Sequence, residues 1–265
     1  MMNKKDFSIV CIGAGNVATH LAQALQQKGF HLSQIYSRTQ ESAQALAQTL
    51  GCAWTTCLEQ VDEHADLYSV SVKDAVLDTV ISQLALCNPD ALFLHTAGSM
   101  PMEVWKGKFK NYGVAYPMQT FSKQREVNFE EVPFFLEANS PENLSLLQEI
   151  AGSLSPKVYE ASSEQRKYLH IAAVFACNFS KHMYAICQHS LQAHHLPFES
   201  ILPLIDETAR KVHELSPVEA QTGPARRYDE NVINRHLNML EEEPKLAEIY
   251  RLLSEHIHLY ETTNH

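Results

Sequence analysis

The sequence predicts an α/β fold in which a doubly wound, mainly parallel sheet is followed by an all-helical domain. Three observations carry that reading. Over roughly the first 160 residues, short β-rich runs alternate with helical patterns, as parallel strands joined by crossover helices require. The first apolar run ends in a glycine turn that opens a helix. Beyond Tyr159 no strand run follows, and between Ser162 and His265 glycine occurs only at Gly223.

The expected strands are Phe7–Ile12, Leu32–Tyr36, Leu67–Val72, Ala91–His95, Gly113–Tyr116, Phe134–Glu137 and Lys157–Tyr159. Helical patterns lie between them at Asn16–Lys28, Glu41–Leu50, Ala75–Leu86 and Pro141–Leu154; Leu21, Ala24 and Leu25 fall at helical spacing in the first. Further helices are expected at Ser163–Ala193, Phe198–Leu215, Asp229–Leu240 and Pro244–Leu259, with Pro197, Pro217, Pro224 and Pro244 at breaks or first turns. A chain of 265 residues is long enough for two domains. The border is expected near Ala161, giving a sheet domain at 1–161 and a helical domain at 162–265.

Hydrophobic residues make up 45% and charged residues 20%, which suits a globular chain and excludes a disordered one. A formal charge of −10 argues against nucleic-acid partners, which need clustered Lys and Arg. The stretch Phe7–Ile12 after Lys4 and Lys5 is too short for a signal peptide's apolar core and has no cleavage pattern behind it. No run reaches the ~18 apolar residues of a membrane span. The six cysteines, Cys87 among them, are scattered without a CxxC pair, so a cytoplasmic location is expected.

Phe7–Ile12 reads as a buried strand and runs into Gly13-Ala14-Gly15-Asn16-Val17-Ala18. This is the GxGxxA form of the Rossmann dinucleotide fingerprint. Gly13 makes the tight turn, Gly15 lets the backbone approach a diphosphate, and Ala18 allows close helix–strand packing. The opening amides at Asn16 and Val17 and the helix dipole hold the phosphates. At the end of the second strand, NAD binders place a carboxylate for the ribose 2′-hydroxyl. This chain instead has Ser37-Arg38-Thr39, with no carboxylate until Glu41. A guanidinium fork flanked by hydroxyls suits a 2′-phosphate, so the expected cofactor is NADP.

Ligands in open α/β sheets bind beyond the carboxyl ends of the strands. That rule adds Ser71 and Val72 to the cofactor contacts. It makes His95 and Ser99 candidates for the nicotinamide or a substrate oxygen, or else ordinary strand-end and turn residues. In the long helix, Ile171–Cys177 is apolar on every side and is expected to be buried on every side. His170 and Asn178 flank it, about 80° apart, and Lys181 lies about 20° from His170 on an ideal helix. His170 is the candidate acid/base and Asn178 the candidate orienting group, unless the strip is satisfied internally. Downstream, Arg226 and Arg227 sit in the cluster Thr222–Asp229. They suit a substrate carboxylate or phosphate, or pair with Asp229, Glu230 or the acidic run at 241–243.

No HExxH, GxSxG, Walker lysine loop or paired-cysteine zinc pattern is present, and no metal site is expected. The fingerprint, Ser37-Arg38-Thr39, the His95-Thr-Ala-Gly-Ser99 run and Ala115-Tyr-Pro-Met-Gln-Thr-Phe121 occur in that order. They are followed by His170-Ile-Ala-Ala-Val-Phe-Ala-Cys-Asn178 and Thr222-Gly-Pro-Ala-Arg-Arg-Tyr-Asp229. Over nearly its whole length the chain resembles a family of uncharacterised Rossmann-like NADP oxidoreductases. Their C-terminal domain is similar to the helical domain of 6-phosphogluconate dehydrogenase. Distant similarity runs to pyrroline-5-carboxylate reductase, ketopantoate reductase and β-hydroxyacid dehydrogenases. The Lys and Asn four residues apart that β-hydroxyacid dehydrogenases carry are absent, and Tyr116 stands where prephenate dehydrogenases have a histidine. The resemblance implies an NADP(H)-dependent oxidoreductase acting on a small anionic substrate in the interdomain cleft, with a homodimer formed through the helical domain. The alternative is a non-catalytic NADP(H)-binding redox sensor or regulator.

Overall fold

A computed structural model describes residues 3–84 and 88–263. Cys87 and the expected helix end at Leu86 lie outside them. The described chain divides into two compact units, up to His182 and from Met183. The division falls within the long helical run rather than at its start.

In the first unit the strands are β1 (Ser8–Ile12), β2 (His31–Tyr36), β3 (Ala53–Thr55), β4 (Leu67–Val70), β5 (Leu92–His95), β6 (Asn111–Pro117), β7 (Phe134–Ala138) and β8 (Val158–Glu160). They form one sheet in the order β3-β2-β1-β4-β5-β6-β7-β8. Pairing is parallel throughout except between β6 and β7. The sheet is therefore mainly parallel. Strand β3 was not expected: Ala53-Trp54-Thr55 is too short to show a period, and two of its three residues face solvent.

The helices α1 (Asn16–Gln27), α2 (Gln40–Leu50), α3 (Asp74–Gln83) and α4 (Pro141–Leu154) cover both faces. Alternation along β1 explains how. Ile9 and Cys11 pack with Leu21, Leu25, Leu46, Leu147 and Ile150 on one side. Val10 and Ile12 pack with Leu77, Ile81 and Trp105 on the other. A strand buried on both faces reads as a continuous apolar run, as this one does. Helix ends follow local chemistry. Gly51 closes α2 in the left-handed conformation, and Pro141 opens α4 behind a Ser140 cap.

The long helical run begins at α5 (Ser163–Ala173), capped reciprocally by Ser162 and Gln165. It widens into a π-turn at Val174–Phe179 and continues as α6 (Ser180–Ala193). The single chain does not by itself bury the run Ile171–Cys177 on every side. Ile171, Phe175 and Phe179 are all exposed, Phe175 by 62%. The second unit contains α7 (Leu202–Glu214), α8 (Pro217–Ala220), α9 (Pro224–Arg227), α10 (Glu230–Met239) and α11 (Pro244–Thr263). Within it Ile233 and Ser254 are the only buried residues among those described.

Candidate cofactor and substrate site

The fingerprint turn is built as its sequence requires. Gly13 has φ +124°, and a Cβ there would lie 2.3 Å from the Ser71 carbonyl oxygen at the end of β4. Its amide donates to the Tyr36 carbonyl at 2.8 Å, so the turn is fastened to the neighbouring strands on both sides. Val72 completes this contact. Gly15 differs: a Cβ there would meet nothing within 4 Å. The open space lies at the start of α1, where no side chain caps the helix and no acidic residue occupies the first turn. Asn16 is exposed and Val17 half-buried at this end. Uncapped amides facing open space are what a diphosphate needs.

At the end of β2 the Ser37 amide donates to the Thr55 carbonyl at 3.2 Å, so the unexpected β3 holds this corner. Arg38 and Thr39 are exposed, and among the described residues Arg38 makes no hydrogen bond or ion pair. Burial raises the Tyr36 phenol above its usual range, with Arg38 opposing and Cys57 and Glu59 adding to the shift. Glu59, whose carboxylate accepts from the Cys57 thiol at 2.7 Å, is thus a neighbour of this corner that the sequence order concealed.

A cavity of about 700 Å³ lies beyond β6, within the size range of small-molecule sites. Tyr116, Gln119, His170, Cys177, Asn178 and Lys181 supply polar or reactive groups to its lining. The three helix residues singled out by spacing therefore do share one wall. The π-turn contributes Val174, Cys177 and Asn178 to that wall, and such turns recur where a helix serves a site. The loop 118–121 lines the opposite part, and α1 holds this loop in place. The Asn16 side-chain amide donates to the Phe121 carbonyl at 3.0 Å, and His20 Nε2 lies 2.9 Å from the Ser122 carbonyl. The fingerprint helix is therefore bonded to the lining residue Phe121 and to Ser122 next to it.

Tyr116 Oη lies 3.4 Å from His170 Nδ1, with the rings edge-on at 6.2 Å. Burial raises the Tyr116 phenol above its usual range, reinforced by Cys177 and Asp74, so it is protonated at neutral pH. Its ring lies flat over Gly98, where a Cβ would come within 2.7 Å of Cζ. Ser99, next in the chain, donates to the Asp74 carboxylate.

Two expected site residues have other partners. His95 is 0% exposed. Its Nδ1 accepts from the Ala97 amide at 3.2 Å, Nε2 faces the Pro101 carbonyl at 3.4 Å, and the ring stacks on Trp105. Burial and the Arg166 charge push its pKa down to about 3. It is a neutral core group. In the second unit Arg226 donates through Nε and Nη2 to Glu261 at 2.8 and 2.7 Å, and through Nη1 to the Gln221 carbonyl at 3.0 Å. Arg227 beside it is exposed and, among the described residues, unpaired.

Sequence reasoning missed Arg166, a cation with 0% exposure. It pairs with Glu137 and donates to the Met100 carbonyl at 2.9 Å, fastening the first turn of α5 to the sheet one turn before His170. Flanked by Gln165 and Lys167, it looks in sequence like part of a solvated face. No group of three His, Cys, Asp or Glu among the described residues can hold a metal ion.

Residues 8–93 match the family described as NADP oxidoreductase, coenzyme F420-dependent, and residues 132–257 match a domain of unknown function, DUF2520. A Bacteroides fragilis crystal structure named "putative NADP oxidoreductase" is 56% identical, with 97% of this chain and 99% of that one covered and a TM-score of 0.93. An imine reductase from Myxococcus stipitatus in complex with NADP+ matches at 15% identity, 96% and 93% coverage and a TM-score of 0.68. A pyrroline-5-carboxylate reductase from Coxiella burnetii matches at 18% identity, 96% and 99% coverage and a TM-score of 0.60. At those identities the last two show a shared fold. No protein of curated function matches the sequence.

Proposed function

Since the chain belongs to the family of NADP oxidoreductases that join a Rossmann-type domain to a DUF2520 domain, we propose that it is an NADP(H)-dependent oxidoreductase of a small anionic substrate. The observation that carries this reading is the pair of bonds from Asn16 and His20 to the loop lining the cavity. They support the reading that the diphosphate-binding helix and the cavity bearing His170 and Asn178 belong to one site. NADP(H) supplies a hydride or accepts one. Gly13, Gly15, Asn16, Val17, Ser71 and Val72 shape its diphosphate end, and Ser37, Arg38 and Thr39 take its 2′-phosphate. His170 is the acid/base, and Asn178 orients the substrate.

Lys181 is the cation on the cavity wall and supplies the charge for the anion. Arg226 is committed to Glu261, whereas the free Arg227 remains a candidate anchor. His95 has no open ring nitrogen and contacts no substrate; Ser99 stays a candidate contact, its hydroxyl donating to Asp74. A second copy of the chain covers the exposed Ile171, Phe175 and Phe179, since apolar patches of this kind mark interfaces. Free thiols at Cys11, Cys52, Cys57, Cys177 and Cys187 support a reducing, cytoplasmic compartment. No described helix is long and apolar enough to cross a membrane.

Steady-state NADPH oxidation against 2-oxo acids and imines tests the function. Turnover by the wild type and a lowered kcat in His170→Ala is the expected result. Tight NADPH binding with no turnover on the whole panel would leave a cofactor-binding protein instead.

A further inference from the structure

We propose that Tyr116 is the group that delivers the proton to the reduced substrate, with His170 behind it as the group that restores that proton. The inference rests on the oxidoreductase reading and specifies the acid in it. Three features of the geometry point there. Tyr116 places its hydroxyl in the cavity from the end of β6, at the carboxyl edge of the sheet, where ligands of such folds bind. His170 reaches the same oxygen with Nδ1 from the helical wall at 3.4 Å, the length that catalytic hydrogen bonds often have before substrate binds. Gly98 leaves the space in which the phenol ring lies, and any larger residue would push the ring out of reach of His170. Three segments far apart in sequence thus converge on one hydroxyl.

The step balances as follows. When bound, NADPH would supply the hydride that forms the C–H bond at the carbon of a C=N or C=O group. The π electrons move to the heteroatom, which takes the Tyr116 Oη proton. The phenolate is reprotonated from Nδ1 of His170, which enters as the imidazolium and leaves neutral. Solvent water then returns a proton to His170, which is only half-buried. The phenol's raised pKa keeps it a donor at neutral pH. Burial disfavours the phenolate, and His170 beside the oxygen lowers that cost by passing a proton on to it.

Full-length protein saturated with NADP+ and labelled with ¹⁵N-histidine gives the first test. Tyr116→Phe removes the hydroxyl, and Gly98→Ala displaces the ring while leaving both groups chemically intact. Each is expected to move the Nδ1 resonance of His170, and near-UV circular dichroism reports whether each variant is folded. In the second arm, NADPH oxidation is followed on 2-oxo acids and cyclic imines that the wild type reduces. Tyr116→Phe is expected to lower kcat about 10²- to 10⁴-fold with NADPH affinity unchanged. His170→Gln is expected to lower kcat less and to lose the limb of the pH–rate profile that follows imidazole protonation.

An unmoved Nδ1 resonance in both variants overturns the pair. Wild-type kcat in Tyr116→Phe overturns the donor while leaving the oxidoreductase reading intact. A wild type that reduces nothing on the panel removes that reading and the donor with it.

Discussion

Along β1 in the first unit, Ile9 and Cys11 face one layer of helices and Val10 and Ile12 face the other, and all four are shielded from water. From Met183 onward the apolar residues behave in the opposite way. Leu204, Leu252 and Leu259 are more than half exposed and Met239 is 78% exposed, although all four lie on helices. The sheet closes its own core on two faces, whereas helices with one apolar stripe each need a further surface to cover it. The same chain thus contains a self-sufficient part that carries the fingerprint turn and a part whose side chains call for a partner.

The largest effect that can break this comparison lies at its self-sufficient end. Gly13→Ala places a Cβ 2.3 Å from the Ser71 carbonyl and imposes φ +124° on an alanine. A loss of about 2–6 kcal/mol in urea unfolding is expected, with NADPH binding abolished. Gly15→Ala has free space and is expected to keep its stability while weakening NADPH. Equal unfolding midpoints for the two variants would contradict the assigned packing.

Within the first unit itself, on the helical run that leads into the second, Phe175→Asp puts a charge on the exposed patch of Ile171, Phe175 and Phe179. Sedimentation is expected to show a dimer for the wild type and a monomer for the variant, with the unfolding midpoint of the sheet unit little changed. A wild type that sediments as a monomer would remove the need for a second copy. Next in size is Arg38→Gln, expected to weaken NADPH about 10²-fold and NADH hardly at all by fluorescence titration. Parallel losses for both coenzymes would take the 2′-phosphate away from Arg38.

The smallest effect is a pH dependence. His95 has a folded pKa near 3, below the ordinary value of 6.5, so the unfolded chain takes up the proton first. Its contribution is complete above pH 6.5 and is lost as the pH falls towards 3. Between pH 6 and pH 5 that amounts to about 1 kcal/mol, seen as a steeper fall in the wild type than in His95→Asn. Identical slopes would mean that His95 is solvated.

Most of the sheet unit was legible because its signals are local. The apolar run before Gly13, Gly51 behind α2 and Ser140-Pro141 before α4 each specify their own element. The features that escaped are those without a local signal. Trp54 and its neighbours form a strand only because Gln34–Tyr36 offer an edge. The π-turn at Val174–Phe179 has no sequence marker, and its residues stay exposed where an all-apolar helix suggests burial. Tyr116 and His170 are separated by 54 residues, so their contact belongs to the tertiary fold alone. Arg226 shows the reverse case. Its ion-pair reading named Asp229, Glu230 or the run at 241–243, whereas the partner is Glu261, 35 residues away, which spacing does not disclose.

The most direct measurement is titration of the wild-type protein with NADPH and NADH, followed by nicotinamide fluorescence. Saturable NADPH binding, at least about tenfold tighter than NADH, is the expected result for an uncapped glycine turn beside a free guanidinium. No saturable binding of either coenzyme would contradict it.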